Sequence, residues 1–350
     1  MSHFILPVSL TLWLAGVPLV PTQQPDRSRA DAPAHARVVI VEDPRAVFAF
    51  DPTSDRVEQM VVKGLIALTS KNTATEAWRS LVSTQDVVGV KVLSSPGPTS
   101  GTRPAVAAAV VKGLLAAGLS PKQIIIWDKH LSDLRLAGFN EISEKLGVQL
   151  AGSAEEGYDD GATAYESSLI GKLVWGDSEF GKTGERVGRK SFVSKLLTQR
   201  ITKVINITPL LNHNDAQVAG NLYSMAMGSV DNTFRFENPS NQLGQAVPEI
   251  YALADVGDRV VLNIVDALIC QYQGEGRMLH HSTMLNQLRF GTDAVALDVL
   301  SIQELDRQRR LAKAPPVKVN WQIYTNAAYM DLGVGDVHLM DVQKISSGDD

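Results

Sequence analysis

The polar run best suited to chemistry in this chain is Asn212-His213-Asn214-Asp215. Histidine titrates near neutral pH, so His213 can act as a general base or, when neutral, as a metal ligand. The run follows an apolar stretch, residues 201–207 (ITKVINI), which carries Asn206 and passes into Thr208. An apolar strand that releases polar groups at its C-terminal end is how open α/β sheets build ligand sites. The same residues also suit a turn in which Asn and Asp satisfy their own backbone. A small-residue helix follows, then a second polar turn, Gly228-Ser229-Val230-Asp231-Asn232. Asp231 and Asn232 fit either a ligand contact or the turn itself.

Three further groups can join such a site. Asp266 ends an apolar run, residues 259–265, and Glu275 sits between Gly274 and Gly276 in the loop after it. A carboxylate at a strand end can bind a metal, orient a histidine or serve as a base. Glycines let backbone amides approach a ligand closely. An ordinary loop with a helix cap explains the same residues. Lys91 ends the apolar run 86–93, where it either reaches solvent or faces an anionic ligand. His280 and His281 are adjacent, so in extended chain they face opposite sides. Asp293 suits a helix cap, whereas Asp298 falls inside the helix and needs another reason, such as a salt bridge or a supporting contact. Residues 176–183, GDSEFGKT, match the spacing of a phosphate loop. Asp177 and Glu179 would stand where phosphate charge must go, and Gly184 and Gly188 weaken the helix that must follow, so the match is a decoy.

Composition narrows the class. The chain has 350 residues, 44% hydrophobic and 20% charged, as in ordinary globular proteins. A net charge of −5 argues against a nucleic-acid partner. A lone cysteine, Cys270, excludes an intrachain disulfide, a cysteine zinc site and an iron–sulfur cluster held by this chain alone. Residues 4–20 are the longest apolar run. They are short for a membrane helix and interrupted by Pro7 and Pro18. Followed by a polar, Pro-rich stretch at 22–36, they read as a signal-peptide core or an N-terminal anchor. Any membrane contact is expected through this segment alone, with the mature protein exported.

The elements that must position these groups alternate. Short apolar runs at 36–41, 86–93, 123–127, 148–151, 172–175, 201–207 and 259–265 read as buried strands. Between them, helical spacing predicts helices at 55–70, 73–81, 104–117, 131–146, 191–199, 245–254, 292–310 and 321–330. Asp55 with Glu58, and Thr73 with Glu76, are spaced as capping pairs. Residues 285–290 read as an edge strand. The rhythm predicts an α/β fold: a mostly parallel sheet with helices on both faces. A polar insertion interrupts it at about 152–190. The expected layout is a leader or anchor at 1–21, a linker at 22–36, one domain at 37–340 and a polar tail at 341–350.

The layout resembles the domain-of-unknown-function family 362. Three segments carry the resemblance: VVGVKVLSSPGPTSGTRPAVAAAVVKGLLAAGL, TKVINITPLLNHNDAQVAGNLYSMAMGSVDN, and VVLNIVDALICQYQGEGRMLHHSTMLNQLRFGTDAVALDVL. Together they span residues 87–300. The resemblance implies an α/β fold with a pocket and no assigned reaction. His213 and Gly228 match the family pattern. The chain departs from it at Leu93, where the family tends to have Asn, and at Leu211, Tyr223 and Ser224, where it tends to have Lys, Lys and Asn. Relatives often carry iron–sulfur cysteines, absent here.

The expected function is a small-molecule or metal-ion pocket at the strand C-terminal ends, lined by Lys91, Asn206, His213, Asp215, Asp231, Asn232, Asp266, Gly274, Glu275 and Gly276. In a catalytic version His213 is the base or metal ligand. Asp266 orients it or shares a divalent metal, with Glu275 as a third ligand, and Lys91 holds an anionic group. The alternative is a non-catalytic binding or interaction protein of the cell envelope, on a scaffold that has lost its lysines. Substrate, metal identity and oligomeric state are not encoded in any motif found.

Overall fold

Strand β1, Ala36–Glu42, shows why a continuous apolar run is needed: Val38 and Ile40 face one layer of helices, Val39 and Val41 the other. The same holds at β2 (Val88–Val92), β3 (Ile124–Asp128), β4 (Gln149–Gly152), β5 (Lys203–His213) and β6 (Val260–Gln271). Strands β7 (Ser282–Gly291) and β8 (Met340–Ser346) complete the main path. The spatial order is β8-β1-β7-β6-β5-β2-β3-β4. Every pairing is parallel except the two made by β7. This computed structural model describes Met1 and residues 35–237, 242–275 and 279–347.

One face carries α1 (Ser54–Thr69), α2 (Ala74–Leu81), α3 (Pro104–Ala116), α4 (Leu131–Leu136) and α5 (Phe139–Leu146). Val57, Met60, Trp78, Val110 and Phe139 pack there against Val88, Val90, Ile205 and Ile264. The other face carries α6 (Asn221–Ser229), α7 (Leu243–Tyr251), α8 (Ala294–Leu311) and α9 (Gln322–Tyr329). The α/β class, a mostly parallel sheet covered on both faces, is the one the apolar runs imply.

Local signals explain several boundaries. Thr73 and Glu76 form a reciprocal capping box, Pro104 opens α3, and Asp293 caps α8 by accepting from the Ala296 amide. Elsewhere the chain differs from its pattern. Thr53 occupies the cap position of α1, and Glu58 pairs with Lys112 at 2.6 Å instead of capping. The expected helix at 131–146 is two, broken at Gly138, whose φ of +89° leaves the helical region. Residues 172–175 form no strand. Residues 191–199 hold the end of a short strand, Lys190–Phe192, and a π turn, Leu196–Arg200, rather than a helix. The strand around 285–290 lies inside the sheet, between β1 and β6. The expected polar tail contributes β8, parallel to β1. As an edge strand it is mostly exposed, which is why MDVQKIS reads as polar. Among the described residues no helix is long and apolar enough to cross a membrane. The 4–20 run lies outside them.

Candidate functional site

Lys91 lies in β2 with its side chain on the α6 face, and it is fully buried. A buried ammonium needs every proton placed. Nζ donates to Asp128 Oδ1 at 2.9 Å, to the Val92 carbonyl at 2.7 Å and to Ser224 Oγ at 3.0 Å. It therefore neither reaches solvent nor has a proton left for an anionic ligand, as the sequence suggested. Asp128, at the end of β3, accepts through Oδ2 from the Ser94 amide and hydroxyl, each at 2.7 Å. Burial alone would raise its pKa, but Lys91 and Ser94 outweigh burial and hold the carboxyl below its ordinary value.

This ion pair is the floor of a cleft of about 350 Å³ at the C-terminal ends of β2, β3 and β5. The loop after β2 gives Leu93, Ser95 and Pro96; β3 and the turn beyond it give Asp128, Lys129 and His130, and α4 gives Asp133. Strand β5 gives Leu211, Asn212 and His213, and α6 gives Tyr223, Ser224, Met227 and Gly228. Glu237 and Glu275 complete the wall. Two other hollows, of about 520 and 800 Å³, are larger, but they lie over helix surfaces and the antiparallel end of the sheet. The strand-end position and the converging ionisable groups favour the smaller cleft.

His213 Nδ1 accepts from the amides of Asp215 at 3.3 Å and Ala216 at 3.1 Å. That places the proton of the neutral ring on Nε2, so the ring is a hydrogen-bond donor there. Glu275 Oε1 lies 3.6 Å from Nδ1, but its hydrogen bond is to the Asn214 amide at 2.6 Å. With Nδ1 taken by amides, the approach is not an ion pair. Burial lowers the His213 pKa, against the pull of Glu275, Asp215 and Glu237. Tyr223 packs on the ring at 4.3 Å between centroids. Burial and its bond to Glu237 raise the Tyr223 pKa, keeping the phenol protonated. Lys129 donates to Thr233 Oγ1 at 2.6 Å, and burial lowers its pKa despite nearby carboxylates. Burial likewise raises Asp133.

Of the residues singled out from the sequence, His213 and Glu275 line the cleft and Lys91 supports it from below. Asp215 is exposed beside it. Asn212 positions the wall: its amide nitrogen donates to Asn214 and to the Gly274 carbonyl, and Arg309 donates to its oxygen at 2.6 Å. The others lie elsewhere. Asn206 donates to Asn221 and Asn263 inside the core. Asp266 accepts from the Arg103 amide at 2.9 Å and faces its guanidinium at 3.3 Å, at the start of α3. It neither orients His213 nor meets Glu275. Asp231 and Asn232 hold the insertion, and Gly276 lies outside the described residues. Among the described residues, no three His, Cys, Asp or Glu side chains are grouped to hold a metal. His213, Asp266 and Glu275 therefore do not form the metal set expected of them.

Lys129, His130, Asp133 and Glu237 line the cleft but are not among the residues singled out from the sequence. The signal was present: IIIWD followed by Lys-His repeats, at β3, the apolar-then-polar pattern recognised at β5. Tyr223 was noted only as a departure from the family. Leu93, Leu211, Tyr223 and Ser224, the four departures, all line the cleft. Ser224 Oγ accepts a hydrogen bond from Lys91 Nζ.

Gly228 is required by close approach, since a Cβ there would sit 2.5 Å from Lys91 Cε. With Lys91 held by three hydrogen bonds, the clash has no easy relief. Gly228→Ala is expected to lower stability by about 1–3 kcal/mol, the usual overpacking range, in a urea unfolding curve. Unchanged stability would show that the floor is loose.

A sheet with a charged cleft at its strand C-terminal ends defines a ligand-site architecture of the open α/β kind. The family model described as Domain of unknown function (DUF362) matches residues 88–303, and the chain belongs to that family. No curated protein matches it. Among solved structures, a structural-genomics protein from Thermotoga maritima is similar at 11% identity and a TM-score of 0.41, over 77% of this chain. The chain spans 61% of that protein's length.

Proposed function

We propose that the protein binds a small polar molecule carrying an amine or a similar cationic group in the strand-end cleft. The observation that carries this is the charge of the wall. Lys91 and Asp128 neutralise each other, which leaves Lys129 against the carboxyls of Asp133, Glu237 and Glu275. A net acidic, partly desolvated wall favours a cation over an anion. His213 serves as a donor from Nε2 rather than as a base, because its other nitrogen is occupied by amides. This reading is closer to a binding site than to a proton-abstraction site. Export follows as a second proposal, resting on the 4–20 run and the linker after it. N-terminal sequencing of the mature protein tests it, and an intact Met1 in the cytoplasm would refute it.

The ligand test is a thermal-shift panel of amines, neutral polyols and carboxylates of matched size. Amines are expected to raise the wild-type midpoint, and a Glu237→Gln, Glu275→Gln double variant to lose most of the shift while remaining folded. Stabilisation by carboxylates alone, or an undiminished amine shift in the variant, would overturn the proposal.

A further inference from the structure

Lys91 and Lys129 stand at the same cleft, and the fold treats them differently. The protons of Lys91 Nζ are all placed on protein oxygens. Lys129, one residue beyond β3, is half-buried and lines the cleft. Its Nζ donates to Thr233 Oγ1 at 2.6 Å, and among the described residues it makes no ion pair. An ammonium carries three donors, and drawing it out of water is costly unless each meets an acceptor. The remaining protons of Lys129 are thus left for whatever enters the cleft.

The carboxylates nearest Lys129 are committed to other donors. Glu237, Asp177, Asp231 and Asp128 act on it through space, favouring its charged form against the effect of burial. Asp177 accepts from the amides of Val174 and Asn232, and Asp231 from those of Ser178 and Phe192. Asp128 holds Lys91 and Ser94, and Glu237 bonds to the Tyr223 phenol. Their combined field opposes a simple anion, which would gain Lys129 but face these groups together with Asp133 and Glu275. A ligand that carries both charges escapes this opposition. Its cation answers the acidic wall, and its carboxylate takes the remaining protons of Lys129. A cleft of about 350 Å³ is at the small end of ligand pockets, which suits a molecule of amino-acid size.

We propose that the cleft takes a zwitterion, a small amino carboxylate, with Lys129 Nζ donating to its carboxylate while its ammonium lies against Glu237 or Glu275. Lys129 thereby selects the second charge of a ligand whose first is the amine already proposed, and its role rests on that reading. The test is a thermal-shift titration of the full chain with glycine, β-alanine and γ-aminobutyrate, each beside its methyl ester and the alkylamine of the same length. At one spacing or more, the amino carboxylate is expected to bind about tenfold or more tightly than its ester and its amine, the worth of one charge-assisted hydrogen bond. Lys129→Met should erase that advantage and leave the binding of the amine in place. Equal binding of carboxylate, ester and amine by the wild type, a comparison that needs no variant, would overturn the zwitterion and leave the amine site standing. An advantage kept in a folded Lys129→Met would overturn the role of Lys129. Binding of none of the amines or amino carboxylates would remove the amine site and the zwitterion together.

Discussion

Lys91→Met is expected to destabilise the protein by about 3–5 kcal/mol, the loss seen when one partner of a buried ion pair is removed. The lysine is fully buried, and Asp128 beside it is almost so. Without Lys91, Asp128 keeps its bonds to Ser94 but loses the charge that offsets its burial. Its pKa then rises, and the sign of its pH dependence reverses: in the wild type the stabilisation is lost as pH falls, whereas in the variant stability is lost as pH rises. A Lys91→Met, Asp128→Asn double variant removes the stranded charge and is expected to recover a large part of the loss. Urea unfolding of the three proteins measures this. If the single variant costs under 1 kcal/mol, the pair is not the floor of the cleft.

The second large effect is at Asp298. Its buried carboxylate accepts from the Asn221 amide at 2.7 Å, the Asn221 side chain at 2.8 Å and the Leu222 amide at 3.0 Å. It therefore caps α6 from another helix and satisfies amides that helix geometry leaves unpaired. Because α6 carries Tyr223, Ser224, Met227 and Gly228, the cap also sets the cleft wall. Gly220 is the approach that permits it, since a Cβ there would meet Asp298 Oδ1 at 2.3 Å. Asp298→Ala leaves three donors without partners and is expected to cost about 3 kcal/mol or more.

The pH dependence follows from the same geometry. Burial raises the Asp298 pKa to about 7, with the amide bonds opposing it. A carboxyl whose folded pKa exceeds its unfolded value binds its proton more tightly in the native state. Its contribution is thus fully present below the unfolded value and is lost as pH rises through about 7. The span corresponds to on the order of 4 kcal/mol. Asp231, raised to about 6 chiefly by burial, acts in the same direction. Asp298→Asn should flatten the fall in stability between about pH 4 and pH 7, measured by denaturation across that range. An unchanged slope would mean that Asp298 does not titrate there.

Much of the architecture was legible because burial on both faces leaves a plain mark. Runs such as VGVKV and IIIWD can be little else than interior strands of a parallel sheet. The edge left no such mark, so β8 looked like tail. The insertion misled at 172–175 because KLVW is apolar enough for a strand, yet Val174 and Trp175 face solvent. The site was legible at β5, where polar residues crowd into one run, and less so at β3, where Asp128, Lys129 and His130 are spread along a turn. Asp266, Asp231 and Asn206 were drawn into the site for sound reasons: Asp266 and Asn206 lie at the end of apolar strands, and Asp231 lies in the polar turn after the small-residue helix. What sequence spacing cannot tell is which face a side chain takes. Asp266 turns to Arg103 at α3, Asp231 to the insertion and Asn206 to the core beneath α6.

The most direct test of the cleft is a crystal structure of the protein soaked with whichever amine raises its melting midpoint most. Ligand density is expected above the Lys91–Asp128 pair, with the cationic group against Glu237 or Glu275 and a contact to His213 Nε2. Ordered ligand in the hollow between α1, α3 and α5, with the strand-end cleft empty, would contradict it.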